Sequence, residues 1–151
     1  MPHLFFIPEI PSANRLVVED SEAHHAISVL RIEKDEEVQV SDGLGNWVLG
    51  VVGDITRKKF EVIIKERNKQ NYQSPKLTVL QGILKSDRLK EAIELMVEAG
   101  ADEIIPWSAS RSISKWQKDS REKWESAAFA SAKQAKRFII PKIGDEVDIR
   151  E

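Results

Sequence analysis

The chain has 151 residues, 41% hydrophobic and 32% charged, with a net charge of −2 and no cysteine. That length bounds it to one domain or two small ones, and the mix of apolar and charged residues excludes a disordered chain. No apolar run approaches the roughly 20 residues that span a bilayer. The start, Met1-Pro-His-Leu-Phe-Phe-Ile-Pro8, lacks the basic region of a signal peptide. Without thiolates for a disulfide frame, a cytoplasmic protein is the simplest expectation.

The first seventy residues read as short strands punctuated by turns. Leu4–Ile7 and Leu16–Glu19 are strand-like, and Glu37–Ser41 alternates polar with apolar. Between them lies one helix, capped by Asp20 or Ser21, with Ala23, Ala26, Ile27 and Leu30 as its buried stripe. Asp42-Gly-Leu-Gly-Asn46 is a hairpin connection into a strand at Trp47–Val52, and Phe60–Ile64 is a further β-branched run. Strands at this spacing predict a small β-barrel over residues 1–70. The polar stretch Lys65 to Pro75 reads as a linker, placed at 71–75.

From residue 76 the pattern lengthens into α/β style. An apolar run, Leu77–Leu84, precedes a helix from about Asp87 to Ala99 that buries Leu89, Ala92, Ile93 and Met96. Gly100 ends it, and Ile104-Ile-Pro-Trp107 completes a βαβ unit. A second helix is expected from Ser120 to Phe138, with Asp119 and Glu122 spaced as a capping box, and Ile139–Ile143 begins another strand. A sheet of about three strands with two helices leaves an unpaired edge and bare apolar surface.

Ligands of open α/β sheets bind beyond the carboxyl ends of strands, so Lys85, Asp87 and Arg88 stand where chemistry is expected. Ordinary helix capping by Ser86 or Asp87 accounts for the same positions. Residues 111–142 carry nine basic and three acidic side chains, a local charge of +6. That density can supply several phosphate contacts or simply solvate a helix face. Arg111, Lys115, Arg121, Lys136 and Arg137 are the candidates against RNA. Trp116 and Trp124 serve either as base-stacking platforms or as apolar anchors. His24, Ser28 and Arg31 share a helix face that could meet phosphate. His24 and His25 point about 100° apart and make a poor metal site. There is no nucleophile elbow, Walker loop or G-x-G-x-x-G, and the Asp42–Asn46 loop lacks the ligand series of a calcium loop.

Several segments occur in an order that points to a family. They are His24-His25-x3-Val29-Leu30-Arg31, Asp42-Gly43 before Trp47, Lys85-Ser-Asp87-Arg88, Glu98-Ala-Gly100 and Ile104-Ile-Pro106. Arg111-Ser112-Ile-Ser-Lys115-Trp116, Trp124, Ala132-Lys-Gln134-Ala-Lys-Arg137 and Pro141 follow. Together they resemble the 16S ribosomal RNA uridine-N3 methyltransferase family (RsmE), of the SPOUT class of knotted S-adenosylmethionine-dependent enzymes.

The resemblance implies an α+β two-domain chain, a PUA-like β-barrel followed by a partial SPOUT α/β methyltransferase domain over 76–151. It implies methyl transfer from S-adenosylmethionine to N3 of a uridine in 16S rRNA of the small ribosomal subunit, by a homodimer. RNA contacts then fall to Arg31, Lys85, Arg88, Arg111, Lys115 and Arg137. The family's Gly-Pro-Glu-Gly-Gly loop and Leu-Gly-x-Arg-Ile-Leu-Arg segment have no counterpart here, and Gly144 is the only glycine after Gly100. The cofactor pocket is therefore expected to be missing, no catalytic residue can be assigned, and this chain alone is expected to be inactive. Two alternatives stand beside the enzyme: a non-catalytic RNA-binding module, and an interaction domain using the exposed sheet edge.

Overall fold

The computed structural model describes residues 1–111 and 113–148. Ser112 of the Arg111–Trp116 motif and the last three residues lie outside the described residues. The chain divides into two compact units, Met1–Asn71 and Tyr72–Glu151.

In the first unit, strands β1 (His3–Phe6), β2 (Arg15–Val18), β3 (Glu37–Ser41), β4 (Asn46–Ile55) and β5 (Phe60–Lys69) form one sheet in the order β1-β3-β4-β5-β2. β1 runs parallel to β3 and the other pairs are antiparallel. The strand alternation sends Phe5, Val18, Val38, Val40, Val48, Val52, Phe60 and Val62 into one core. Phe5 and Phe60 meet edge-to-face, 5.3 Å between ring centroids. Gly50 is required in β4, because a Cβ there would lie 2.5 Å from the Ile63 carbonyl oxygen. The pairing also slips between Leu49 and Gly50, a bulge that sharpens the sheet's curvature.

Helix α1 (Asp20–His24) continues into a π-helical turn, His25–Leu30. Ala23 and Ala26 are fully buried, with Ile27 and Leu30 packed at the core's edge. The expected cap is not used. Glu19 is the N-cap and makes no side-chain cap bond. The Glu22 carboxylate instead accepts the Phe6 N–H at 2.9 Å, which ties the helix to edge strand β1.

The polar stretch from Lys65 also departs from expectation. Lys65–Lys69 is the far half of β5, with Glu66, Arg67, Asn68 and Lys69 opposite Leu49, Val48, Trp47 and Asn46. These residues are exposed, so no apolar alternation marks them, and backbone pairing to β4 makes the strand.

The second unit runs β6 (Thr78–Gly82), α2 (Ser86–Glu98), β7 (Glu103–Trp107), α3 (Ser120–Gln134) and β8 (Lys142–Ile143). The three strands are parallel, in the order β6-β7-β8. α2 packs on α3, and Leu89, Ile93, Val97, Trp124, Ala128 and Ala132 are their buried apolar residues. Val97 is the core position the periodicity missed. Gly100, at φ +94°, turns the chain out of α2 where a side chain would be strained.

α3 ends at Gln134 rather than Phe138, and Lys136 follows with a φ of 55°. Its capping box does not form: Asp119 pairs with Lys123 at 3.2 Å, and the Gln117 N–H donates to Ser120 Oγ at 2.8 Å. β7 alternates between the sheet's two faces. Ile104 is fully buried, whereas Leu80, register partner of Ile105, is 45% exposed. Among the described residues, no helix is long and apolar enough to cross a membrane.

Candidate functional site

Past β6, the Ile83 N–H donates to the Trp107 carbonyl at 3.1 Å and carries the parallel pairing one residue further. The chain then turns into α2 through Lys85, whose backbone is extended and which makes no side-chain cap bond. A cavity of about 280 Å³ lies here, its lining including Lys85, Ser86, Lys115, Ser120, Lys123 and Trp124. The first turns of α2 and α3 both border it, so two sets of helix-terminal N–H groups add positive potential. Asp119, also on the wall, neutralises Lys123 through their ion pair. Lys85 and Lys115 are exposed and form no ion pair among the described residues. Such a site attracts an anion, phosphate above all, with an affinity that falls as salt rises.

Of the residues expected to contact RNA, the structure brings Lys85 and Lys115 together here. Arg88, on the first turn of α2, is exposed but does not line the cavity, and Arg111 is exposed beyond β7. Arg31 belongs to the first unit. It closes the π-helical turn in the left-handed conformation, φ 53° and ψ 49°, and the Ile32 N–H returns to the Ala26 carbonyl at 3.1 Å. Glycine favours that geometry, and arginine holds it at a cost of roughly 1–2 kcal/mol. Beside it, His24 Nδ1 lies 3.4 Å from Ser28 Oγ.

Two arginines counted toward the basic face are occupied inside the fold. Arg137 Nη1 donates to the carbonyls of Val97 and Ala101, both at 3.0 Å, and so clamps the corner between α2 and β7. Arg121 donates to the carbonyls of Ile143 (2.8 Å) and Gly144 (3.1 Å) and to Asp145 Oδ1 (2.7 Å), which fastens the end of β8. Lys136 is partly buried, and burial first, then the charge of Lys133, lowers its pKa. Trp116 meets the buried Trp124 edge-to-face at 5.4 Å, an anchor for the segment between β7 and α3.

Sequence reasoning missed Asp102, a buried acid. Its Oδ2 accepts the Leu77 N–H at 2.8 Å and Gln73 Nε2 at 3.0 Å. Burial alone would raise its pKa. The bonds from Leu77 and Gln73 and the charges of Arg137 and Lys76 outweigh burial and hold it below the ordinary aspartate value. The available signal was an acid wedged between the helix-ending Gly100 and the apolar Ile104-Ile105. Trp107 Nε1, also buried, has no acceptor among the described residues.

Residues 71–151 match the family model described as the RNA methyltransferase domain, and residues 18–65 match the RNA methyltransferase PUA domain. The chain belongs to the RNA methyltransferase domain family. Among this family's curated relatives, ribosomal RNA small subunit methyltransferase E of Mycobacterium bovis is 32% identical over 145 residues, 93% of this chain and 55% of that protein. The Bacillus subtilis protein of the same name is 26% identical over 142 residues, 91% of this chain and 56% of its own length. The chain thus spans about half the length of these relatives.

A predicted RNA methyltransferase from Thermotoga maritima superposes with a TM-score of 0.77 at 27% identity, covering 99% of this chain and 67% of its own. Ribosomal RNA small subunit methyltransferase E of Neisseria gonorrhoeae, bound to S-adenosyl methionine, shares the fold at a TM-score of 0.85 and 22% identity, covering 97% of this chain and 63% of its own. The PUA-like unit followed by a sheet-and-helix methyltransferase unit is therefore the family's architecture.

Proposed function

We propose that this chain is the RNA-gripping portion of an enzyme that methylates N3 of a uridine in 16S ribosomal RNA. Small subunit methyltransferase E proteins are the relatives it matches along most of its length. The observation that carries the reading is the cavity beyond β6, where Lys85 and Lys115 are free of ion pairs among the described residues beside two helix N-termini. Their task is to bind and orient RNA phosphate, so that the target base is presented in one place.

Arg31 adds a second contact. A strained left-handed arginine following a π-helical turn is a costly feature, and both devices recur at functional sites. Arg88 and Arg111 extend the footprint as exposed cations.

The methyl donor of this reading is S-adenosylmethionine, which supplies an electrophilic methyl on a sulfonium. The cavity does not fit it: about 280 Å³ is below the usual ligand-pocket range, and a lysine-rich wall repels a sulfonium cation. No step through the donor is therefore assigned to these residues, nor is a general base. The full reading places the enzyme in the cytoplasm on the small ribosomal subunit, acting as a homodimer. The parallel sheet supports self-association: among the described residues its edges at β6 and β8 are open, and Leu80 is 45% exposed.

The test is binding of a small-subunit rRNA fragment to the chain across a salt series. Lys85→Ala with Lys115→Ala should weaken binding and flatten the log–log slope by roughly one unit per lost phosphate contact. An unchanged affinity and slope in a folded double variant would remove the cavity from the RNA footprint.

A further inference from the structure

The cavity beyond β6 holds one more cation than its RNA reading uses. Among the described residues its wall carries three lysines, Lys85, Lys115 and Lys123, and a single acid, Asp119. Of the three lysines, Lys123 is the one in an ion pair, with Nζ 3.2 Å from Asp119 Oδ2. Positions 119 and 123 are one helical turn apart, so both side chains stand on the face of α3 that borders the cavity, with Ser120 and Trp124. Arg121, the other cation of that first turn, bonds the Ile143 and Gly144 carbonyls and Asp145 instead. Lys123 is therefore the cation that α3 presents to this space.

An aspartate at the N-cap ordinarily has extended backbone and accepts a free N–H of the first turn. Asp119 is the N-cap of α3, yet its φ is −96° and its ψ 0°, and it makes no side-chain cap bond. The Ser120 hydroxyl is engaged as well, accepting the Gln117 N–H at 2.8 Å. The Asp119 carboxylate is thus left to Lys123, and it sets a negative charge beside the space offered to phosphate. The two side chains are 59% and 57% exposed, so their pairing contributes little to folding. Its effect falls on the cavity, where it cancels one of three positive charges. Glu122, on the same turn, lines the adjoining groove but not this cavity.

We infer that Asp119 sets the affinity of the RNA site: its carboxylate competes with RNA phosphate for Lys123 and limits the cavity to the contacts of Lys85 and Lys115. The inference rests on the RNA-binding reading of that cavity and adds its regulation by an acid of the same wall. Phosphate contacts are independent of sequence, so removing one weakens the hold on every RNA alike. Contacts that read bases then weigh more in the choice of RNA.

The experiment measures affinity of the 151-residue chain for the small-subunit rRNA fragment and for an unrelated RNA of equal length, across a salt series. Asp119→Asn keeps a favourable N-cap residue, so α3 should survive, which circular dichroism checks. It should raise affinity for both RNAs at low salt by up to roughly fivefold, the range of one exposed ion pair. The log–log salt slope should steepen by roughly 0.7 of a unit, one single-strand phosphate contact. Adding Lys123→Ala should return the slope to the wild-type value. Glu122→Gln, which removes an acid outside the cavity, should leave the slope in place.

A gain that persists in Asp119→Asn with Lys123→Ala overturns the inference, because lost repulsion alone then accounts for it. So does an equal gain from Glu122→Gln, a gain confined to the rRNA fragment, or no gain in a folded Asp119→Asn chain. In each of those cases the RNA reading of the cavity stands if Lys85→Ala with Lys115→Ala still flattens the slope. If that double variant changes nothing, the reading falls and the inference with it.

Discussion

Replacing Arg137 with alanine tests whether this residue belongs to the fold. Its Nη1 makes two bonds from a charged donor, to the Val97 and Ala101 carbonyls at 3.0 Å. Bonds of this kind contribute about 1.5–3 kcal/mol each when intact. Arg137 is partly exposed, so water recovers some of that after truncation, and the expected loss is about 2–4 kcal/mol. Hydrogen exchange of the β7 amides reads the stability of the second unit directly. At 1.4 kcal/mol per decade, the loss corresponds to exchange faster by roughly 30- to 700-fold. Arg137→Lys should fall between the two, because a single ammonium does not reproduce the planar fork. Arg111→Ala, an exposed arginine, should stay within about 0.5 kcal/mol. An Arg137→Ala change as small as that would refute the clamp and return the residue to the basic face.

Asp102→Asn removes a carboxylate whose pKa is lowered in the fold. Such a group contributes stability that is fully present above the unfolded value near 3.9 and is lost as pH falls through the lower folded value. The wild-type second unit should therefore lose stability below about pH 4, and the variant should show a flatter acid limb in pH-dependent unfolding. An identical limb would remove Asp102 as the cause. Calorimetry of the 151-residue chain with S-adenosylmethionine should show no saturable heat, and a micromolar dissociation constant would mean that a pocket exists elsewhere in it. Sedimentation should show a dimer or larger species, because among the described residues the three-stranded sheet has open edges and Leu80 is exposed. A clean monomer at high concentration counts against that.

What the sequence determined by itself was local in origin. Alternation in Glu37–Ser41 sends Val38 and Val40 to one face whatever surrounds them, and the observed strand has those bounds. The stop at Gly100 follows from glycine's tolerance of positive φ, and the helix before it from a stripe of period 3.6. The ordered short segments pointed to the family for the same reason: each is legible within a few residues.

The tertiary structure decided what depends on distant neighbours. Lys65–Lys69 is a strand only because β4 lies alongside, so its polar side chains misled. Arg111 and Arg137 look alike in a count of charge. One is exposed, while the other reaches carbonyls 36 and 40 residues away, which no local pattern encodes. Likewise Lys85 and Lys115, thirty residues apart, share a cavity because the crossover through α2 returns the chain to the same end of a parallel sheet. Hydrophobic period and turn chemistry are properties of adjacent residues. The partner of a long polar side chain is a property of the fold, because its reach exceeds the distance over which sequence patterns correlate.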